Sequence, residues 1–325
     1  MTAPYKPPIA ILMATYQPNM DWLRHQLHSL EAQTYPNLRL YIRDDASPDV
    51  TAEQLRACAE ECVKSFPVHI SRNGENLGSN ETFARLTAEA EGEYFAYCDQ
   101  DDIWLPGKLA ALQSALEREG ALLVCSDMTI IDAVGRQTAD SITKIRRRHV
   151  FRSGEGLWDT LWYSNFVSGC AMLVGADTAR AALPFDPYMV YDHYIALYCA
   201  DRGKIVSLPD RLLRHREHGD NQSSLLQGVE DKESYYRIRV EQKRLALEWL
   251  CEHFPGSPAL MARLRRGRDW LRAREGYARG DWRCALTMWR ERADSPLATA
   301  LELVLPALPG KALGAVLRAA KKNIL

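Results

Sequence analysis

Tyr94-Phe95-Ala96-Tyr97-Cys98-Asp99-Gln100-Asp101-Asp102-Ile103-Trp104 decides how this chain is read. Its first five residues form an uninterrupted apolar run, the pattern of a strand buried on both faces. Three carboxylates follow within four positions, and Trp104-Leu105-Pro106-Gly107 leads into a new helical pattern. An acidic cluster at the carboxyl end of a central strand lies where open α/β sheets bind ligands. Crowded carboxylates repel one another and lose solvation unless something positive sits between them. Oxygen ligands at this spacing suit a hard divalent cation, Mg²⁺ or Mn²⁺. The alternative is an Asp-rich turn that caps the next helix, so the neighbouring elements must arbitrate.

Upstream, Ile9 to Ala14, Leu38 to Arg43 and Val68 to Ser71 read as strands. They alternate with helical patterns from Asn19 to Gln33, Thr51 to Ser65 and Ser79 to Ala90. Downstream, Gly107 to Glu119 is helical and Leu122 to Ser126 is a strand, with a further short strand at Met128 to Ile131. Strands alternating with helices of 10–15 residues predict a mostly parallel, Rossmann-like sheet flanked by helices. The right-handed crossover rule then gathers Thr15-Tyr16, Asp44-Asp45, Asn73 to Asn80 and Asp99 to Asp102 at one edge. No G-x-G-x-x-G and no G-x-x-x-x-G-K-[ST] occurs in this half, so phosphates would have to be met by a metal.

Beyond Asp127 the pattern loosens. Arg136 to Arg152 is basic and irregular, either a solvated loop or a binder of phosphates or anionic headgroups. Asn165 to Val174 reads as a strand, Asp192 opens a helix to about Ala200, and Ile205 to Leu208 is another strand. Trp104 either packs under the acidic loop or meets a sugar face. Trp158, Trp162 and Tyr163 are either core or lining of an acceptor site. Residues 1–228 thus read as one α/β domain and 229–325 as an all-α extension. Its helices are expected at Asp231 to Cys251, Pro258 to Tyr277, Trp282 to Glu291 and Pro296 to Leu305. The tail Lys311 to Ile324 carries an apolar stripe beside Lys311, Arg318, Lys321 and Lys322, suited to packing or to an anionic membrane surface.

Lysine and arginine number 41 against 42 aspartates and glutamates, so a basic nucleic-acid-binding surface is not expected. The eight cysteines form no C-x-x-C pair, as expected of free thiols in a reducing compartment. Neither a secretory leader nor a membrane-spanning run is expected, which points to the cytoplasm, with peripheral contact at the inner face of the membrane.

Read in order, these stretches resemble the family-2 inverting glycosyltransferases of GT-A fold, over about residues 8–225. The resemblance rests on Ala14-Thr15-Tyr16, Arg43 to Asp49, Asn76-Leu77-Gly78 with Asn80, and Asp99 to Trp104. It rests further on Gly169, on Asp192 before an apolar helix, and on Arg214 to Asn221. The Asp-Gln-Asp-Asp-Ile-Trp form is similar to that of bacterial rhamnosyltransferases of surface polysaccharide synthesis. The resemblance implies a nucleotide-sugar site of Thr15, Tyr16, Asp45, Arg72, Asn76, Gly78, Asp99 and Gln100. Asp45 would accept the ring N–H of uracil or thymine, Tyr16 would flank the base, and Asp44 would support the turn or the ribose. Arg72 would lie near the base or the diphosphate. Asp101, His218 and Asp99 would hold Mn²⁺ or Mg²⁺, with His215 competing for the part of His218, and Asp102 would be structural. Asp192 would be the catalytic base, although Tyr191-Asp192-His193-Tyr194 departs from the family's usual acidic pair and tryptophan. The implied reaction moves rhamnose from dTDP-rhamnose, or a hexose from a UDP-sugar. The acceptor is a hydroxyl of a surface glycan, free or lipid-linked, such as lipopolysaccharide core, O-antigen or capsule. A nucleotidyltransferase on the same fold, or a scaffold without catalysis, would be the alternative.

Overall fold

The computed structural model describes residues 5–146, 149–218, 231–291, 299–300 and 303–304. The tail stripe at 311–324 and most of the helix expected at Pro296 to Leu305 lie outside them. The chain forms two compact units, Met1–Gly219 and Asp220–Leu325.

In the first unit the strands are β1 (Ile9–Thr15), β2 (Leu38–Asp44), β3 (Val68–Arg72), β4 (Tyr94–Cys98) and β5 (Ile103–Trp104). They continue with β6 (Leu123–Ile131), β7 (Gln137–Ala139), β8 (Met172–Gly175) and β9 (Ile205–Arg216). The helices are α1 (Met20–Glu31), α2 (Ala52–Cys62), α3 (Ser79–Glu89), α4 (Lys108–Glu119), α5 (Ile142–Ile145), α6 (Trp158–Leu161), α7 (Ala176–Ala181) and α8 (Tyr191–Arg202). The sheet runs β3-β2-β1-β4-β8-β6-β9-β5, with β7 on β6.

β1 lies between β2 and β4, parallel to both, and Ile9 to Met13 are wholly buried. Each such aliphatic side chain contributes about 1.5–3 kcal/mol by leaving water. The helix starts are locally encoded. Asn19 accepts from the N–H groups of Asp21 (3.0 Å) and Trp22 (3.2 Å). Thr51 and Gln54 form a capping box at α2. Such caps contribute about 1 kcal/mol each.

The sheet is mixed, its parallel pairings joined by shorter antiparallel ones. β8 inserts antiparallel between β4 and β6, and β5 and β7 pair antiparallel with β9 and β6. Asn165 to Val174 is not one strand. A 3₁₀ turn occupies Gly169–Ala171 and only Met172–Gly175 pairs. Gly169 faces the ring of Tyr191, and an added Cβ there would lie 2.0 Å from its Oη. That contact fixes the turn where a regular strand would not fit. β9 runs on through Arg216, past the stretch expected to end at Leu208. Its register against β6 shifts between Ser126 and Asp127, which accommodates Pro209. The basic stretch holds β7 and α5 and is not irregular throughout.

The second unit contains α9 (Lys232–Tyr236), a π-helical turn (Arg237–Glu241), α10 (Gln242–His253), α11 (Pro258–Ala278) and α12 (Cys284–Arg290). Ser257 caps α11, with Pro258 at its first position. Leu247, Leu250, Leu260, Leu264 and Leu271 are buried. The helix expected from Asp231 to Cys251 therefore contains a π turn. Among the described residues, no helix is long and apolar enough to cross a membrane.

Candidate active site

The carboxyl ends of β1, β2 and β4 are laced together by side chains. Tyr16 N–H donates to Gln100 Oε1 (2.9 Å), and Gln100 Nε2 donates to Tyr16 O (3.1 Å). Gln17 N–H donates to Ser47 Oγ (2.8 Å), and Asp49 N–H donates to Gln17 Oε1 (3.2 Å). Tyr16 stays exposed. Thr15 is buried, with its hydroxyl 3.4 Å from Asp44 Oδ1, so it supports the loop from below.

Asp44 and Arg72 belong to the turn after β2. Asp44 accepts from Ser47 N–H (3.0 Å) and lies 3.3 Å from Arg72 Nη1. Arg72 also donates to the carbonyls of Val50 (2.9 Å) and Ser47. Arg72, expected near the base or diphosphate, thus has its guanidinium engaged in closing this turn. Asp45 is not an empty acceptor either. Oδ1 accepts from Asn73 Nδ2 (2.8 Å) and Leu77 N–H (2.8 Å), and Oδ2 accepts from Gly78 N–H (2.8 Å). A carboxylate oxygen has two lone pairs, so a nucleobase N–H would share Oδ2 with Gly78. Asn76 is exposed in this loop.

The acidic cluster divides into an inner and an outer part. Asp102 is buried and accepts from His215 Nδ1 (2.9 Å) and Arg216 N–H (3.0 Å). Burial pushes its carboxyl up, but the charge and hydrogen bond of His215 outweigh this and hold it below the usual range. Burial likewise pushes His215 down, and Asp102 overrides it, to about 9. Lys108, at the start of α4, lies wholly buried behind the cluster. Its Nζ donates to Cys170 O and sits 3.1 Å from the centre of the Trp104 ring. Burial lowers its pKa to about 7. Trp104 is thus core, under the acidic loop, and Trp162 is buried as well.

The outer part is the pair Asp101 and His218, while Asp99 groups with Asp102. His218 Nε2 lies 2.8 Å from Asp101 Oδ2. Arg216 Nε holds the backbone of this loop through Asp101 O (2.9 Å). Burial and the charges of Asp102 and Asp101 raise Asp99 to about 7. Burial, then Asp102, raises Asp101 as well. Ligating atoms of Asp99, Asp102, Cys170 and His215 lie within 4.8 Å of one another. That inner set suits a hard cation poorly. Its Cys170 thiol is a soft donor, and His215 Nδ1 is already bound to Asp102. Asp101 and His218 offer a carboxylate and an imidazole, donors of the right chemistry for a hard cation, and burial with the neighbouring carboxylates suppresses the ionisation of Asp101 and Asp99.

Asp192 is the second residue of α8, after the N-cap Val190. Its Oδ1 accepts from Asn165 Nδ2 (3.0 Å) and its Oδ2 from Gly169 N–H (2.9 Å). Burial raises its pKa to about 6 against these bonds and the nearby charge of Arg146. Asp192 is itself among the charges that raise Asp99, the smallest of the named contributions. Asn80 holds the segment before it. Its Nδ2 donates to Asp186 O (3.2 Å) and Met189 O (2.7 Å), and its Oδ1 accepts from Tyr191 N–H (3.0 Å). The structural parts of Lys108, Asn165 and Arg216 were not foreseen. A lysine after Pro-Gly reads as a solvated first-turn residue, and no local pattern marks it as buried.

Residues 10–175, just over half of the chain, match the family model for glycosyl transferase family 2. The chain belongs to that family. An uncharacterized glycosyltransferase of Nostoc sp. is 24% identical over 244 residues, covering 72% of each chain. A putative teichuronic acid biosynthesis glycosyltransferase of Bacillus subtilis is 27% identical over 135 residues, 39% of this chain and 52% of its own. Among solved structures, the mannosyltransferase PcManGT from Pyrobaculum calidifontis, in complex with GDP-Man and Mn²⁺, superposes with a TM-score of 0.56 at 16% identity. That match covers 94% of this chain and 80% of the other. The fold is GT-A, with a mixed central sheet and C-terminal helices.

Proposed function

We propose that this family-2 enzyme transfers a sugar, with inversion, from a nucleoside-diphosphate donor to a hydroxyl of a surface glycan. The observation that carries the reading is Asp192, a carboxylate held by Asn165 and Gly169 N–H, with its pKa raised to about 6 and its charge felt by Asp99 of the acidic loop. Inversion needs a base on the face opposite the leaving group, and a base works best with a pKa near the working pH. Asn165 and Gly169 N–H fix both oxygens of Asp192, so it can take the acceptor's proton from a set position.

Asp101, Asp99 and His218 would hold Mn²⁺ or Mg²⁺. Such a cation neutralises charge on a departing diphosphate. Tyr16, held by Gln100, and the free lone pair of Asp45 Oδ2 would meet the base of the nucleotide, which favours uracil or thymine. A dTDP-rhamnose donor is the first choice and a UDP-hexose the second. The teichuronic acid relative supports a cell-surface glycan acceptor, and the GDP-Man and Mn²⁺ of the mannosyltransferase support a metal-assisted nucleotide-sugar site. The enzyme would work at the inner face of the membrane, where a lipid-linked acceptor presents its glycan.

Thermal shift with UDP, dTDP and GDP, each with and without Mn²⁺, tests this directly. UDP or dTDP should stabilise the protein only when Mn²⁺ is present. Stabilisation by GDP alone would remove the pyrimidine donor, and no shift with any of the three would remove the nucleotide site.

A further inference from the structure

We infer that the outward face of α12 is a docking surface for an anionic phospholipid membrane. Trp282, Leu286 and Trp289 are spaced i, i+4, i+7 and fall on one side of this helix and its leading turn. They are 74%, 76% and 46% exposed. The opposite side is committed to α11. Met288 is fully buried, and Gly276 of α11 brings Cys284 so close that an added Cβ would meet its Sγ at 2.7 Å. The helix therefore cannot roll to bury its tryptophans without losing that contact.

The border of the stripe is basic. Arg283 and Arg290, each one position after a tryptophan of the stripe, are exposed, Arg290 at 3.7 Å from Glu291, with Asp281 the other acidic neighbour. Glu291 is already engaged by Arg266 at 3.2 Å. The imbalance holds for the whole unit. Residues 220–325 carry 19 lysines and arginines against 13 aspartates and glutamates, whereas residues 1–219 carry 22 against 29. Tryptophan rings with an apolar body and a polar N–H settle at the headgroup level of a bilayer, and flanking arginines select anionic lipid. An apolar stripe with a basic border is the arrangement of a helix lying in that interface.

The test uses the full chain with vesicles of phosphatidylcholine alone, or with roughly 30 mol % phosphatidylglycerol to supply the negative surface. Co-sedimentation and the tryptophan emission maximum are read together. The protein should sediment with the anionic vesicles, with blue-shifted emission, and at least tenfold less with the neutral ones. Trp282→Ser combined with Leu286→Ser, both at exposed positions, should weaken binding at least tenfold and leave the melting temperature unchanged. Equal binding to both vesicle types, no binding to either, or full binding by the double variant would each overturn the inference. So would loss of a self-associated species in the double variant without any vesicle binding by the parent chain. The nucleotide thermal shift is measured without lipid, so failure here and failure of the transferase reading are distinguishable.

Discussion

Replacing Asp192 by Asn should abolish transfer and at the same time make the protein more stable. The carboxyl moves from 3.8 to about 6 on folding, because burial outweighs its three donors, Gly169 N–H, His193 N–H and Asn165, and the charge of Arg146. A folded value above the unfolded one means that the contribution is stabilising below about pH 4 and is lost as pH rises through about 6. At pH 7 the ionised group costs up to about 3 kcal/mol. An Asn side chain avoids that cost. Its carbonyl can still accept from Asn165, but its amide would face Gly169 N–H, a loss of about 1–2 kcal/mol. The net gain is about 1–2 kcal/mol, a rise in melting temperature of roughly 2–8 °C for a unit of this size. In the parent chain, kcat/KM should rise tenfold per pH unit below about 6 and level off above it. Calorimetry of Asp192→Asn at pH 7 and pH 4.5, with a pH–rate profile of the parent, checks both signs. The stabilisation should be confined to pH 7. A lower melting temperature at pH 7 together with near-normal transfer would show that the carboxylate is a structural latch and not a base.

Asn80→Ala removes three hydrogen bonds from the segment before Asp192, together about 2–3 kcal/mol. Turnover should fall about 30–100-fold while nucleotide-induced thermal stabilisation is retained. His218→Ala removes the partner of Asp101 and should weaken Mn²⁺ binding at least tenfold by titration calorimetry, with the fold unchanged by circular dichroism. Gly169→Ala drives a Cβ to within 2.0 Å of Tyr191 Oη, and overpacking plus the disturbed Asp192 bond should cost about 3 kcal/mol or more in denaturant unfolding. Tyr191→Phe added to it should recover only part, because Cζ still lies at 2.7 Å.

β1 and β4 were legible because each is a continuous apolar run closed by turn residues, and burial on both faces demands that composition. β2 and β3 mix polar with apolar residues and were legible from the helices that alternate with them. β8 was legible only in part. It pairs over only four residues after a 3₁₀ turn whose cause is the Tyr191 ring, more than 20 positions away. The π turn at Arg237–Glu241 has no signature within a continuous helical pattern. In the site, chemical type was legible and partnership was not. Asp45 reads as an acceptor from sequence, yet only the fold shows Asn73, Leu77 and Gly78 already donating to it. The residues that follow His218 favour it over His215 for the metal, but the partners of the two were not legible. The alternation of β9 turns one toward Asp102 and the continuation of the chain brings the other to Asp101.

The four residues Leu77 to Asn80 have a consequence for anyone seeking to reprogram the enzyme. Their first two N–H groups bind Asp45, and their last side chain binds the segment that carries Asp192. Grafting a loop to change nucleotide preference would therefore shift the start of α3 and misplace Asp192, the proposed base, as well. Donor exchange and turnover should trade off across such a library unless Gly78 to Asn80 is kept as a fixed hinge-pin and diversity is confined to residues 74–76.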